Sequence, residues 1–168
     1  MKKYCLLILV TLFAFTAHAQ VNDEQQNQVA KLDFLIGHWG GTGTSYSSDG
    51  STSTYYDTEH VRFDLDKKLL LINARGEKDG QITYQLHTVI YYDPTAGHFW
   101  YTPYTGERAR RFSCELISKQ FICLNKEQNF RLTFQRLADD KWNEFGERLK
   151  DDKWVKTFET ILSPLDPY

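Results

Sequence analysis

From Trp39 onward the chain is cut into short runs of Tyr, Phe, Val, Ile and Thr, each about ten residues apart and closed by Gly, Asp, Asn or Ser. Residues of these types fit a pleated, half-buried surface, and the punctuating residues are those that tolerate tight turns. Nine turns can be placed: Ser48-Asp49-Gly50, Asp66-Lys67, Asp79-Gly80, Pro94 to Gly97, Thr105-Gly106, Ser118-Lys119, Lys126 to Gln128, Ala138 to Asp140 and Asp151-Asp152. They divide the chain into ten strands. Phe130, Leu132 and Phe134 alternate with Arg131, Thr133 and Gln135, the pattern of a sheet with one wet face. With no second layer of helices available, such a meander buries its apolar face by curling on itself, and closure also removes its edges. The expected fold is therefore an all-β, single antiparallel up-and-down barrel of about ten strands over residues 38–163.

The segments flanking the barrel read differently. Lys2 and Lys3, an apolar stretch from Leu6 to Phe15 and the small-x-small pattern Ala17-His18-Ala19 form an export signal, with cleavage expected before Gln20. The apolar stretch is shorter than a bilayer-spanning helix requires, so a periplasmic or secreted location without stable membrane insertion is expected. Cys5 lies inside that stretch rather than after the cleavage point, which argues against lipidation. Residues 20–37 form an N-terminal segment in which Asp23 is placed to cap a short helix running toward Leu32 and Phe34, and residues 164–168 form a tail. The formal charge of −2 becomes more acidic once Lys2 and Lys3 are lost, which argues against a nucleic-acid partner.

Leu32-Asp33-Phe34-Leu35-Ile36-Gly37-His38-Trp39-Gly40-Gly41-Thr42-Gly43 opens the first strand. Its Gly37-x-Trp39 resembles the Gly-x-Trp signature of lipocalins, and the extended form resembles a bacterial lipocalin-like family of unknown function. Leu69 to Ile72 followed by Arg75-Gly76, Val89 to Asp93, and Trp142-x-Glu144-x-Gly146-Glu147 followed by Trp154 and Phe158-Glu159 extend the likeness over nearly the whole chain. The resemblance implies a closed barrel with an internal cavity and no established activity. The Thr-Asp-Tyr motif of lipocalins proper is missing. Nitrobindin-like haem barrels are similar in Gly-x-Trp-x-Gly-x-Gly but bind iron through a late His, and no His follows His98 here.

Tight turns fix which side chains face each other, so candidate residues can be read from register. A two-residue turn at Thr105-Gly106 sets Phe99 against Phe112 and Tyr101 against Arg110. That places a guanidinium beside a phenol inside the barrel, a receiver for a carboxylate similar to the head-group clamp of fatty-acid-binding barrels; the alternative is a rim Arg reaching solvent. The Asp66-Lys67 turn sets Phe63 opposite Leu70 and Val61 opposite Ile72, so Glu59 points inward against Ala74 and needs a partner, for which Arg110 is one candidate. Across Asp79-Gly80, His87 falls opposite Ile72 and inward, unless one bulge exchanges the faces. The Asp151-Asp152 turn opposes Glu144 and Glu159, with Trp142 facing Ile161. Trp39 is a plug for one barrel end or a wall of the site. A turn at Ser118-Lys119 places Cys114 directly across from Cys123 in a non-hydrogen-bonded pair, where an exported protein can form a cross-strand disulfide; two reduced core cysteines are the alternative. His38, His60, His87 and His98 are scattered, with no local spacing for a metal site.

These readings describe a binding module rather than an enzyme. The expected ligand is a small hydrophobic or amphipathic molecule that can carry a carboxylate, held by Phe99, Phe112, Tyr101, Arg110, Glu59, His87 and Trp39, with no cofactor. Two alternatives stay open. One is a haem-binding or enzymatic barrel using His87, Glu144 or Glu159; the other is a structural or interaction barrel with a filled core.

Overall fold

The computed structural model describes residues 24–165; the expected export signal and Asp23 lie outside the described residues. Residues 24–30 are helical, a 3-10 turn covers Asp33–Leu35, and ten strands follow. They are β1 (Gly37–Tyr46), β2 (Thr52–Asp64), β3 (Leu69–Lys78), β4 (Gln81–Asp93), β5 (His98–Tyr104), β6 (Phe112–Ile117), β7 (Gln120–Asn125), β8 (Phe130–Arg136), β9 (Trp142–Lys150) and β10 (Lys153–Pro164). Each strand pairs antiparallel with its sequence neighbours, and β1 pairs with β10, so the sheet closes into the barrel expected from the turn spacing. The nine turn sites coincide with the nine connections. At Ser118-Lys119 and Asp151-Asp152 both turn residues have positive φ, and at Asp79-Gly80 the pair likewise matches the twist that a two-residue hairpin needs.

Closure depends on a close approach along the β1–β10 seam. Gly41 pairs with Leu162, and a Cβ at position 41 would come within 1.9 Å of the Ile161 carbonyl oxygen. Three other glycines stand directly opposite aromatic residues whose rings occupy the space a Cβ would need: Gly43 opposite Tyr55, Gly76 opposite Tyr84 and Gly146 opposite Phe158. The structure shows a backbone at Gly41 and an aromatic ring at Gly43.

The two halves of the lumen are filled differently. At one end the helical segment contributes Val29, Leu32 and Leu35, all fully buried. There the Trp39 indole donates to the Leu35 carbonyl at 2.8 Å and packs edge-on against Trp142, with centroids 6.0 Å apart. Trp39 is thus a plug. Gln26 ties the same segment to the Asp66 carbonyl in the β2–β3 turn. Around the β5–β8 wall, Phe99, Phe121, Phe134, Tyr101 and Phe112 form a chain of edge-on and tilted ring contacts. Cys114 and Cys123 are directly paired, fully buried and joined by a disulfide, with Cα atoms 4.0 Å apart.

Gly41→Ala is expected to destabilise the barrel at the upper end of about 1–3 kcal/mol, because the obstacle is a backbone carbonyl that no rotamer change can move. Replacing both Cys114 and Cys123 by Ala is expected to cost about 2–4 kcal/mol, mainly by freeing the unfolded chain. Urea unfolding of each variant measures both losses; midpoints unchanged from the parent protein would contradict them.

Candidate functional site: an acidic cluster in the barrel lumen

The strand period dictates what enters the lumen. On β2, Val61 is buried with its face toward the core, so Glu59, Asp57 and Tyr55, each two residues further along, share that face. Glu59 pairs with Ala74 as the register predicted. Its partners come from elsewhere. A β-bulge between Lys156 and Phe158 shifts the β9–β10 register, so Glu144 faces Thr160 and stands in the lumen, while Glu159 faces Phe145. The predicted Glu144–Glu159 opposition is therefore corrected: Glu159 accepts from Lys156 at 2.7 Å and from Asn143 at 2.9 Å, and Trp142 pairs with Leu162 rather than Ile161.

Asp57, Glu59 and Glu144 each bring a carboxyl oxygen to within 4.8 Å of the other two. Glu59 and Glu144 border a cavity of about 390 Å³ walled by Tyr55, Tyr84, Tyr101, Phe134 and Phe158, with Ile72, Ala74 and Leu86 completing the apolar surface. This volume falls in the range of small-molecule sites. It extends toward the barrel end where Ser45, Ser53, Lys78 and Thr83 sit beside the turns at 47–51 and 79–80. Lys78 is the one basic residue of the lining; it is exposed and its Nζ donates to Ser53 at 2.6 Å. Inside, Asp57 Oδ1 and Glu59 Oε2 are buried with no hydrogen-bond partner, as is the fully buried Trp142 Nε1.

Burial and mutual repulsion keep protons on this cluster. Glu59 is pushed well above the ordinary carboxylate range, first by desolvation and then by the charges of Glu144 and Asp57. Desolvation, with Asp57 adding to it, raises Glu144 to about 8; the Glu59 carboxyl donating to it acts in the opposite sense. Asp57 rises to about 6 through desolvation, tempered by the Tyr84 hydroxyl. The phenols respond in kind. Desolvation lifts Tyr55 to about 12, against a 2.9 Å hydrogen bond with Thr160, and Tyr84 and Tyr101 are also raised by burial and by the nearby carboxyls.

The other sequence-derived candidates lie around this cluster or away from it. Tyr101 lines the cavity, but it pairs with Phe112, and Phe99 pairs with Cys114. The expected Phe99–Phe112 and Tyr101–Arg110 pairs are corrected because the β5–β6 connection is two residues longer than a Thr105-Gly106 turn allows; Thr105 instead bonds the Arg108 carbonyl and Tyr104 bridges to Ala109. Arg110 is exposed in this connection and does not meet Glu59. Its neighbour Arg111 stacks on Trp100 at 3.6 Å. Phe99 and Phe112 are buried in the packed aromatic chain.

His87 is also corrected. A bulge at Gly76/Glu77 sets it opposite Asn73, with Thr88 opposite Ile72, so His87 is exposed on the outer wall and its Nδ1 lies 2.7 Å from Asn73 Oδ1. His38 and His60, stacked at 4.1 Å, continue the same outer row across β1 and β2. Among the described residues no histidine lines the 390 Å³ cavity.

Sequence reasoning missed Asp57, Tyr55 and Tyr84 as site residues. For the first two the signal was present: once Glu59 faces inward, Tyr55-x-Asp57-x-Glu59 places all three there. Tyr84 required knowledge of the bulge.

The fold and site together define a closed ten-stranded antiparallel barrel with an acidic, aromatic-walled lumen. No family model and no curated protein matches the chain. Among solved structures, it is similar to the crystal structure of Rv2717c from M. tuberculosis, with a TM-score of 0.60 and 11% identity over 82% of this chain and 97% of that one. A structure of a protein with unknown function from the DUF3598 family of Nostoc punctiforme aligns over 82% of this chain and 99% of its own at 9% identity, with a TM-score of 0.27. The first likeness establishes the barrel alone.

Because the folded protein holds these protons more tightly than an unfolded chain, stability is fully present below the ordinary carboxylate pKa and is lost as pH rises through about 6 for Asp57 and about 8 for Glu144. Melting temperature is therefore expected to fall between pH 5 and pH 8, by up to ~1.4 kcal/mol of stability per pH unit for each proton held. Glu144→Gln should flatten this decline. A melting temperature that rises across the interval would contradict the arrangement.

Proposed function

We propose that this protein is an exported barrel that binds a small, partly apolar molecule within its lumen. The observation that carries this reading is the 390 Å³ cavity, whose apolar and aromatic walls surround Glu59, with its buried and unpartnered Oε2, and Glu144. A packed core closes such voids, and unpartnered buried polar groups are costly, so a hollow furnished with them suits an occupant that supplies the missing hydrogen bonds. The disulfide supports export, since such bonds persist in oxidising compartments. Among the described residues no helix is long and apolar enough to cross a membrane.

The ligand's polar end differs from the one expected of an Arg–Tyr clamp. With Arg110 exposed and three carboxyls inside, the lumen favours a hydrogen-bond donor over a carboxylate. Tyr101 and Glu59 remain in the proposed site; Phe99, Phe112 and Trp39 support it by packing, while Arg110 and His87 contribute nothing to its interior.

Ala74 stands in the cavity wall opposite Glu59, so Ala74→Phe fills the lumen without adding charge. In ligand-observed NMR with a set of small neutral aromatic and aliphatic fragments, the parent protein is expected to give hits whose affinity falls at least tenfold in Ala74→Phe. Equal binding to both proteins would place the ligand outside the lumen and overturn the proposal.

A further inference from the structure

Resting on that reading, we infer that the ligand is an organic ammonium compound: a primary amine head on the Asp57–Glu59–Glu144 cluster, with a compact apolar body against the aromatic walls. Three features converge on this class. The cluster offers oxygens from three carboxyls within 4.8 Å of each other, and an –NH₃⁺ group carries three donors and no acceptor. Glu59 lines the cavity and its Oε2 is buried and unpartnered, so an acceptor is waiting inside it, and Asp57 Oδ1 of the same cluster is likewise buried and unpartnered. The charged residues of the lining are two carboxyls, Glu59 and Glu144, and one lysine, Lys78. Lys78 sits at the rim on Ser53, and among the described residues no Lys or Arg forms an ion pair with the cluster.

The walls argue for an organic cation over a bare metal ion. Rings of Tyr55, Tyr84, Tyr101, Phe134 and Phe158 surround the space next to the carboxyls, where a desolvated ammonium gains from ring faces and its hydrocarbon body buries apolar area. A metal ion would leave most of the 390 Å³ unfilled. Gly43, Gly76 and Gly146 give this wall its shape, because any side chain there would drive the Tyr55, Tyr84 or Phe158 ring from its seat.

Binding then exchanges charge. The groups facing the cluster are Tyr55 on β2, Tyr84 on β4 and Tyr101 on β5, with Lys78 at the end of β3. The phenols are held neutral, so the protons an arriving ammonium displaces come from Glu59, Glu144 and Asp57.

The test uses the full mature chain and four probes: phenethylamine, its neutral counterpart 2-phenylethanol, 3-phenylpropanoate, and manganese(II) chloride. Isothermal titration at pH 7 is expected to show the amine binding at least tenfold tighter than the alcohol and the carboxylate not binding. Repeating the amine titration in buffers of different ionisation enthalpy should show net proton release. Glu59→Gln and Glu144→Gln should each reduce amine affinity at least tenfold and shrink the preference for amine over alcohol; the proton release, read on the unmodified chain, stands if either variant fails to fold.

If alcohol and amine bind alike with no proton release, the ammonium assignment falls and the cavity reading stands. If no organic probe binds, both fall. If manganese binds and the amine does not, the cluster is a metal site and the ammonium assignment falls.

Discussion

The hydrogen-bonded seam between β1 and β10 creates the inside of this molecule, and every property of the site follows from having an inside. Without the ladder from Trp39↔Pro164 to Ser45↔Phe158, the inward row of β2 would face solvent and Glu59 would be an ordinary surface carboxylate. With the seam closed, Glu59 and Asp57 lose water, and Glu144 meets them from the opposite wall. The seam itself exists because position 41 is a glycine, whose missing Cβ leaves room for the Ile161 carbonyl. One backbone contact thus separates a meander with a wet face from a container with shifted proton affinities.

The container is deliberately uneven. Its plugged end is assembled from helical-segment leucines, two tryptophans and the aromatic chain around the Cys114–Cys123 disulfide, a packing dense enough to hold the barrel's shape. At the other end, glycine–aromatic pairs replace bulk with flat walls, so the hollow survives. Packing and cavity are in this way assigned to different ends of the same strands. The acidic cluster sits between them, and among the described residues it forms no ion pair with a Lys or Arg.

Much of this was legible in the sequence. Turn chemistry placed all nine connections, and where the connection had the length the turn residues implied and no bulge followed, register held: Cys114 met Cys123 and Glu59 met Ala74. The errors trace to one or two inserted residues. Extra residues between Tyr104 and Phe112 removed Arg110 from Tyr101, a bulge beside Gly76 turned His87 outward, and a bulge at Thr157 exchanged Glu159 for Thr160 opposite Glu144. A bulge inserts one residue without altering composition or alternation enough to be seen, yet it inverts every side chain beyond it. The cluster joins residues from β2 and β9, whose meeting across the lumen depends on barrel closure and has no signature in local sequence.

The most direct test of this account is the infrared carbonyl signal of protonated carboxyl groups, followed from pH 5 to pH 9 in heavy water. A lumen that holds Glu59 and Glu144 against each other keeps a protonated-carboxyl band above pH 7, diminished in Glu59→Gln. Disappearance of every such band below pH 6 would show these carboxyls to be separate and solvated, and would contradict the account at its centre.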